Sequence, residues 1–205
     1  MHPNIRIGTS TSMLALGQTN IVKEKILEAF PDLEVEIAEL STQGDEQLDR
    51  SLTSFGGKGV FTQELEDALL RGEIDLAVHS AKDMPMEFAE GLGIGAALTR
   101  GPVEDVVVTL DGTRLKDLKP GSVVGTGSLR RELQIRKVNP LIQVKMIRGN
   151  VQTRLRKLSE GRYDAIILAA AGLERLEMAS GGEYFFEHLD PSVCLPAAGQ
   201  AILAV

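Results

Sequence analysis

Hydrophobic positions along the chain alternate between two spacings. Ile5 and Ile7 open a short strand that breaks at Gly8, Thr9 and Ser10. Leu14, Ile21, Val22, Leu27 and Phe30 then recur at helical spacing up to Pro31. Leu33, Val35 and Ile37 are separated by Glu34 and Glu36, the period of a strand with one face in water. These three segments predict a βαβ unit. The segment SLTSFGGKGVF is rich in Gly and Ser without a period and reads as a mobile loop. A short helix is predicted from Thr62 to Arg71, with Leu65, Leu69 and Leu70 on one side and Gly72 as its stop. IDLAVHS, from Ile74, reads as a strand buried on both faces that ends in polar residues.

Between Gly91 and Pro102 the pattern weakens into a Gly-rich connection, and Val106, Val107 and Val108 begin a second set of elements. VVGTGSLRRELQIRKVNP predicts a strand, a Gly turn and a helix stopped at Asn139 and Pro140. LIQVKMIRGNVQTRLRKLSEG repeats the scheme, with a strand from Leu141, an Asn150 cap, a helix and a Gly161 stop. AIILAAAGL, from Ala165, reads as another buried strand, and the ending AILAV as a return strand. The expected organisation is an α/β protein of two lobes. Residues 1–98 form the first lobe, completed by 199–205, and 99–198 form the second. Each lobe is a mostly parallel sheet flanked by helices, with ligands at the carboxyl ends of strands.

Composition narrows the class. Of 205 residues, 43% are hydrophobic and 25% charged, which excludes a collagenous, mucin-like or wholly disordered protein. One cysteine, Cys194, makes no internal disulfide, the first twelve residues hold no apolar stretch of signal length, and the longest apolar runs fall short of a membrane span. A cytoplasmic protein away from membranes is expected. Three histidines and one cysteine show no metal-ligand spacing, and there is no G-x-S-x-G elbow. VVGTGSLRR has Arg130 where a dinucleotide loop needs its third glycine, and GGKG lacks Walker spacing.

Charge changes the picture locally. The chain carries −7, yet from Arg130 to Lys157 nine basic residues meet one acid, Glu132. Arg130 and Arg131 follow a Gly turn at a helix start, and Arg148 precedes the Asn150 cap. Helix N-termini favour anions, and guanidinium forks match carboxylate or phosphate. A polyanion pocket using Arg130, Arg131, Arg148 and Arg154 is expected. Arg136, Lys137, Arg156 and Lys157 read as solvated faces paired with acids from elsewhere. No Phe, Tyr or Trp lies within the basic stretch, so nucleic acid is not the expected anion.

A second constellation, HSAKDMP at residues 79 to 85, places His79, Lys82 and Asp83 at a strand end before Pro85. A carboxylate beside an ammonium is favoured in its charged form, so Asp83 is suited to stabilising a developing cation. The plainer alternative is a turn whose Asp bonds its own backbone, with a core histidine behind it.

LALGQTNIV, GGKGVF, AVHSAKDMP, GTGSLRR, RGNVQTRLRKL, LAAAGLERL and LPAAGQ occur in the order found in hydroxymethylbilane synthases, also called porphobilinogen deaminases. The chain resembles that family over nearly its whole length. The resemblance implies two lobes like type II periplasmic binding proteins with the active cleft between them. It also implies the head-to-tail joining of four porphobilinogen molecules, with ammonia released each time, on a dipyrromethane primer linked to a cysteine. By matching motif, Asp83 would contact pyrrole nitrogens and stabilise the azafulvene-like cation left when ammonia departs. Ser80, Lys82, Ser128, Arg130, Arg131, Arg148, Arg154 and Arg175 would hold the acetate and propionate groups of primer and substrate. Ser12 and Gln18 fall in the first-turn motif, and Lys58 and Phe61 on a loop over the cleft, where Phe61 is equally readable as a hydrophobic anchor.

Three departures stand out. Ser10 occupies the place of a family arginine, Ala201 stands where the family has the second glycine of GQG, and the third lobe with the primer cysteine is expected to be missing from these 205 residues. Cys194, in DPSVCLPAAGQ, is outside the attachment motif and reads as a buried thiol. The 205 residues alone are therefore expected to carry no covalent dipyrromethane and to make no product, as a monomer without metal. The alternative function is a noncatalytic two-lobed binding module for a small polycarboxylate.

Overall fold

The computed structural model describes residues 4–40, 63–178 and 182–205, and its chain divides into two units, 1–100 with 202–205 and 101–201. In the first unit, β1 (Asn4–Ser10), α1 (Met13–Ala29) and β2 (Glu34–Leu40) form the βαβ motif, with β1 and β2 parallel from Asn4 opposite Glu34 to Ser10 opposite Leu40. The strand thus runs through Gly8, Thr9 and Ser10, where turn-forming residue types predict a break. Gly8 serves a close approach instead: a methyl group there would lie 2.3 Å from Ile74 Cδ1 and 2.9 Å from Leu65 Cδ2. Leu65 comes from α2 (Gln63–Leu70), whose buried Leu65 and Ala68 pack with Ile74 and Ala77.

The run from Ile74 is two short strands rather than one. β3 (Leu76–Ala77) extends the parallel sheet beside β1, while β4 (His79–Ser80) pairs antiparallel with the last strand, β10 (Leu203–Ala204). Ile7, Val22, Val78 and Leu203 close the core between them. A mostly apolar run gives no clear period, so the change of partner at Val78 leaves no trace in the sequence, although Asp75 is exposed and Leu76, His79 and Ser80 are only half-buried.

The second unit is one five-stranded sheet. β5 (Asp105–Thr109), β6 (Val123–Gly125), β7 (Gln143–Lys145), β8 (Ala165–Ala169) and β9 (Phe185–Leu189) lie in the order β7-β6-β8-β5-β9. β6 is parallel to β7 and β8, whereas β5 runs antiparallel to both β8 and β9. Period-two alternation sends β5 side chains to both faces. Val107 packs with Val124, Ile135 and Ile167, while Val106 and Val108 pack with Leu155, Leu158 and Ile166. Ile135 belongs to α3 (Leu129–Val138), and Leu155 and Leu158 to α4 (Val151–Ser159), so the two helices cover opposite faces. Each fully buried side chain of this size contributes about 1.5–3 kcal/mol of transfer free energy.

Both helices start directly after parallel strands that neighbour each other, and both are capped. Ser128 Oγ accepts from Arg131 N at 3.4 Å, and Asn150 Oδ1 from Thr153 N at 2.9 Å. AIILAAAGL turns out to be β8 followed by α5 (Ala170–Arg175). Both pieces are buried, and the alanine-rich second half prefers helix. No helix among the described residues is long and apolar enough to cross a membrane.

Candidate functional site

In the first unit, polar residues gather where α1 begins. Ser12 is the α1 cap, accepting from Ala15 N at 3.2 Å, and Ser10 Oγ donates to it at 3.4 Å. Gln18, one turn further and only 5% exposed, donates from Nε2 to Ser80 Oγ at 3.1 Å. That bond ties the first-turn motif to the HSAKDMP segment. Ser80 is fixed from its other side by β10, and Ala81 N donates to Ile202 O at 3.0 Å. Lys82 and Asp83 follow on an exposed 3₁₀ turn, Ala81–Asp83, held at the end of this bonded frame. His79 is half-buried, and burial lowers its pKa from the usual 6.5, so it is neutral at pH 7.

In the second unit, the basic residues occupy the ends of adjacent strands. Arg130 and Arg131 stand in the first turn of α3, and both reach one carboxylate that charge counting along the sequence does not reveal. Asp105, wholly buried at the head of β5, accepts from Arg131 Nη2 at 2.7 Å and Arg130 Nη2 at 2.7 Å. Burial alone would push this carboxyl up, but the charges and hydrogen bonds of Arg131 and Arg130 prevail and hold it below its usual value. Gln200 Nε2 donates to Asp105 Oδ1 at 3.0 Å and Cys194 Sγ to Oδ2 at 3.4 Å. The Cys194 thiol is pushed up to about 11 by burial, with Asp105 adding and Arg130 opposing. It is a protonated donor rather than a nucleophile.

Arg131 is 7% exposed and spends Nη1 on Ile167 O at 3.1 Å. Arg130 keeps 26% of its side chain exposed and also donates to Leu195 O. Arg148 differs from both: it is half-buried and its Nε is sequestered from water without a hydrogen-bond partner. Arg154 Nε donates to Gly149 O at 2.7 Å, which fixes the turn between Arg148 and the Asn150 cap. Arg175, at the end of α5, donates to Ala201 O at 2.8 Å, and burial lowers its guanidinium below the ordinary arginine value against the pull of Glu174.

Of the residues read as solvated faces, Arg136 pairs with Glu132 at 3.0 Å and Arg156 with Glu160 at 3.7 Å, while Lys157 donates to Arg148 O at 2.9 Å. Lys58 and Phe61 lie outside the described residues. Among the described residues, no group of three or more His, Cys, Asp or Glu is placed to hold a metal.

Sequence reasoning passed over Asp105 and the bond Gln200 makes to it, and read Cys194 as a buried thiol without placing it against Asp105. The available signal was an acid at the head of a strand that is otherwise VVV, a position where an unpaired charge is too costly to keep. Chemically, the second unit offers two capped helix starts, a guanidinium edge at Arg130 and the sequestered Nε of Arg148. Two arginines against one buried carboxylate leave a net positive charge there. This donor set suits a ligand with several carboxylates. The dipyrromethane that the resemblance implies, bearing acetate and propionate groups, fits it.

Residues 5–205 match the family model described as porphobilinogen deaminase, dipyromethane cofactor binding domain. The chain is 49% identical over 201 residues to the porphobilinogen deaminase of Halalkalibacterium halodurans, covering 98% of this chain and 64% of that protein. It is 48% identical over 201 residues to that of Geobacter metallireducens, with 98% and 62% covered. The chain therefore spans less than two thirds of the length of these relatives. Among solved structures it is similar to the probable amino-acid ABC transporter extracellular-binding protein ytmK of Bacillus subtilis. That match has a TM-score of 0.54 and 16% identity, over 100% of this chain and 84% of that one. The periplasmic VFT2 domain of Bordetella pertussis BvgS gives a TM-score of 0.52 at 16% identity, over 99% and 80%. At such identities the likeness shows the fold alone, that of type II periplasmic binding proteins.

Proposed function

Because the chain belongs to the porphobilinogen deaminase family, we propose that the protein carrying it is a hydroxymethylbilane synthase, a transferase of tetrapyrrole biosynthesis that joins porphobilinogen units head to tail. The observation that carries this reading is the exposed carboxylate of Asp83, held in the first unit on a bonded frame; the arginine-rich set of the second unit, taken by itself, supports it.

In each cycle, the bond between the aminomethyl carbon and nitrogen of porphobilinogen breaks. The electron pair leaves with nitrogen as ammonia, a carbon–carbon bond forms to the free α-carbon of the growing chain, and that carbon loses its proton. Asp83 is the proposed catalytic residue. Its carboxylate accepts from pyrrole N–H groups and stabilises positive charge as the carbon–nitrogen bond breaks, which favours the transition state over the ground state. Gln18 holds Ser80 and so positions the turn that carries Asp83. Lys82 next to it, with Ser12 and Ser80, supplies donors for substrate side chains.

When bound, dipyrromethane supplies the free pyrrole α-carbon at which joining starts. In the second unit, Arg148 and the exposed edge of Arg130 are the proposed carboxylate contacts. Ser128 and Arg154 shape the two helix starts, and Arg131 and Arg175 complete the cationic set. Cys194, protonated and buried against Asp105, has no part as an anchor.

The test is to supply porphobilinogen and measure ammonia release together with porphyrin after acid oxidation. Consumption of porphobilinogen with matching ammonia and a linear tetrapyrrole product supports the reading. Tight binding of porphobilinogen with no ammonia released would point instead to a binding module.

A further inference from the structure

A wholly buried carboxylate at the head of β5 needs a reason. The strand's own core contacts come from Val106, Val107 and Val108, and an apolar residue at 105 would serve packing as well. Burying an ion pair is commonly no more stabilising than a well-packed apolar group of the same volume, so stability alone is a poor explanation of Asp105. Its bonding is complete. Oδ1 accepts from Arg131 Nη2 and Gln200 Nε2, and Oδ2 from Arg130 Nη2 and the Cys194 thiol. Gln200 is itself anchored by donating to Val103 O at 2.7 Å.

The two guanidiniums fare differently around that carboxylate. Arg131 has Nη1 on Ile167 O and a buried Nε with no partner, so it is enclosed by protein. Arg130 is the one left with an exposed edge, and its head is fixed between Asp105 and Leu195 O. One negative charge between two positive ones leaves an excess of a single positive charge, presented through Arg130.

We infer that Asp105 is a positioning residue: its carboxylate orients Arg130 so that this guanidinium meets a ligand carboxylate, while Arg131 serves as the buried counterpart of the clamp. The inference rests on the proposed function, since it names how that site fixes one of its anion contacts. It makes Arg130 and Arg131 unequal, although they are adjacent in sequence and identical in type. Arg130 contacts ligand, and Arg131 acts through Asp105.

The experiment uses the 205-residue chain, with porphobilinogen as the probe in calorimetric titration. NMR of ¹⁵N-labelled arginine side chains reads guanidinium rotation directly. In the parent, Arg130 is expected to show slow rotation about its Cζ–Nε bond. In Asp105→Asn, that restraint is lost and porphobilinogen binds about tenfold more weakly. A second variant, Asp105→Asn with Arg131→Met, removes the buried pair together. It is read in the same way if the single substitution does not fold, because it removes the negative charge that orients Arg130 and leaves no unpaired buried charge.

A folded variant of either kind whose Arg130 remains restrained and whose affinity stays within about twofold of the parent overturns the inference. Arg130→Gln separates this from failure of the functional reading. Loss of binding in Arg130→Gln but not in folded Asp105 variants refutes positioning alone. If the parent does not bind porphobilinogen at all, the functional reading fails. Positioning is then decided by the NMR signals, with restraint lost in the Asp105 variants supporting it and restraint kept overturning it.

Discussion

Replacing Gly149 by Ala perturbs the start of α4 at the point where the sheet hands over to the proposed anion site. Gly149 has φ +109, a conformation that side-chain-bearing residues rarely adopt. A methyl group there would lie 2.6 Å from Thr153 Cγ2 and 2.8 Å from Thr153 Cβ. Two costs add. The backbone strain is roughly 1–3 kcal/mol and the overlap about 1–3 kcal/mol if the neighbour yields only partly. Thr153 has little freedom to yield, because its own N–H is bonded to the Asn150 cap, an interaction worth about 1 kcal/mol. The expected loss is therefore roughly 2–6 kcal/mol, read as a fall in the urea midpoint at unchanged slope. Arg154 Nε also donates to the Gly149 carbonyl, so porphobilinogen affinity should fall with it. Adding Thr153→Ala removes the Cγ2 contact and should restore part of the loss, leaving the backbone term and the overlap with Cβ. A single variant within about 0.5 kcal/mol of the parent refutes this account of the turn, as does a double variant no better than the single.

Two further outcomes follow from the half-buried His79 and the buried Cys194. His79 has a folded-state pKa below its unfolded value near 6.5, so the unfolded chain binds more protons as pH falls. Its contribution to stability is thus present above 6.5 and is lost as pH drops towards the folded-state value. Urea midpoints at about pH 7.5 and about pH 5.5 should differ more for the parent than for His79→Gln, and equal differences contradict the assignment. Cys194, with its thiol raised from 9.0 to about 11, favours the folded state while protonated, and that stability is lost as pH climbs from 9 towards 11. At about pH 8, iodoacetamide should label it in urea but not in the native protein, as read by intact mass, and ready native labelling would show that the thiol is accessible.

How much of this was legible beforehand depends on the range of the interaction. The alternation of Glu34, Val35, Glu36 and Ile37 shows β2 directly, and the Asn150 cap and the stop at Asn139 mark helix ends, because each signal lies within a few residues of its effect. Gly8 misleads because the same residue that permits a turn also permits Ile74 to pack against bare backbone within a strand. AIILAAAGL hides a strand-to-helix boundary because both parts are buried. The arginine set illustrates the limit best. The chemistry of Arg130 and Arg131 is visible in their type and place, but Asp105, which holds them, is 26 residues from Arg131, and no local period connects the two. Ala201 shows the opposite case. Its φ of +71 explains in backbone terms why glycine suits that position.

The central claim rests on Asp83, and porphobilinogen turnover by the protein and by its Asp83→Asn variant tests it most directly. The substitution is nearly isosteric and removes only the charge. The account predicts an unchanged fold, KM within a few-fold, and kcat reduced by about a hundredfold or more, the usual effect of losing a preorganised electrostatic group. Equal kcat in parent and variant would contradict it.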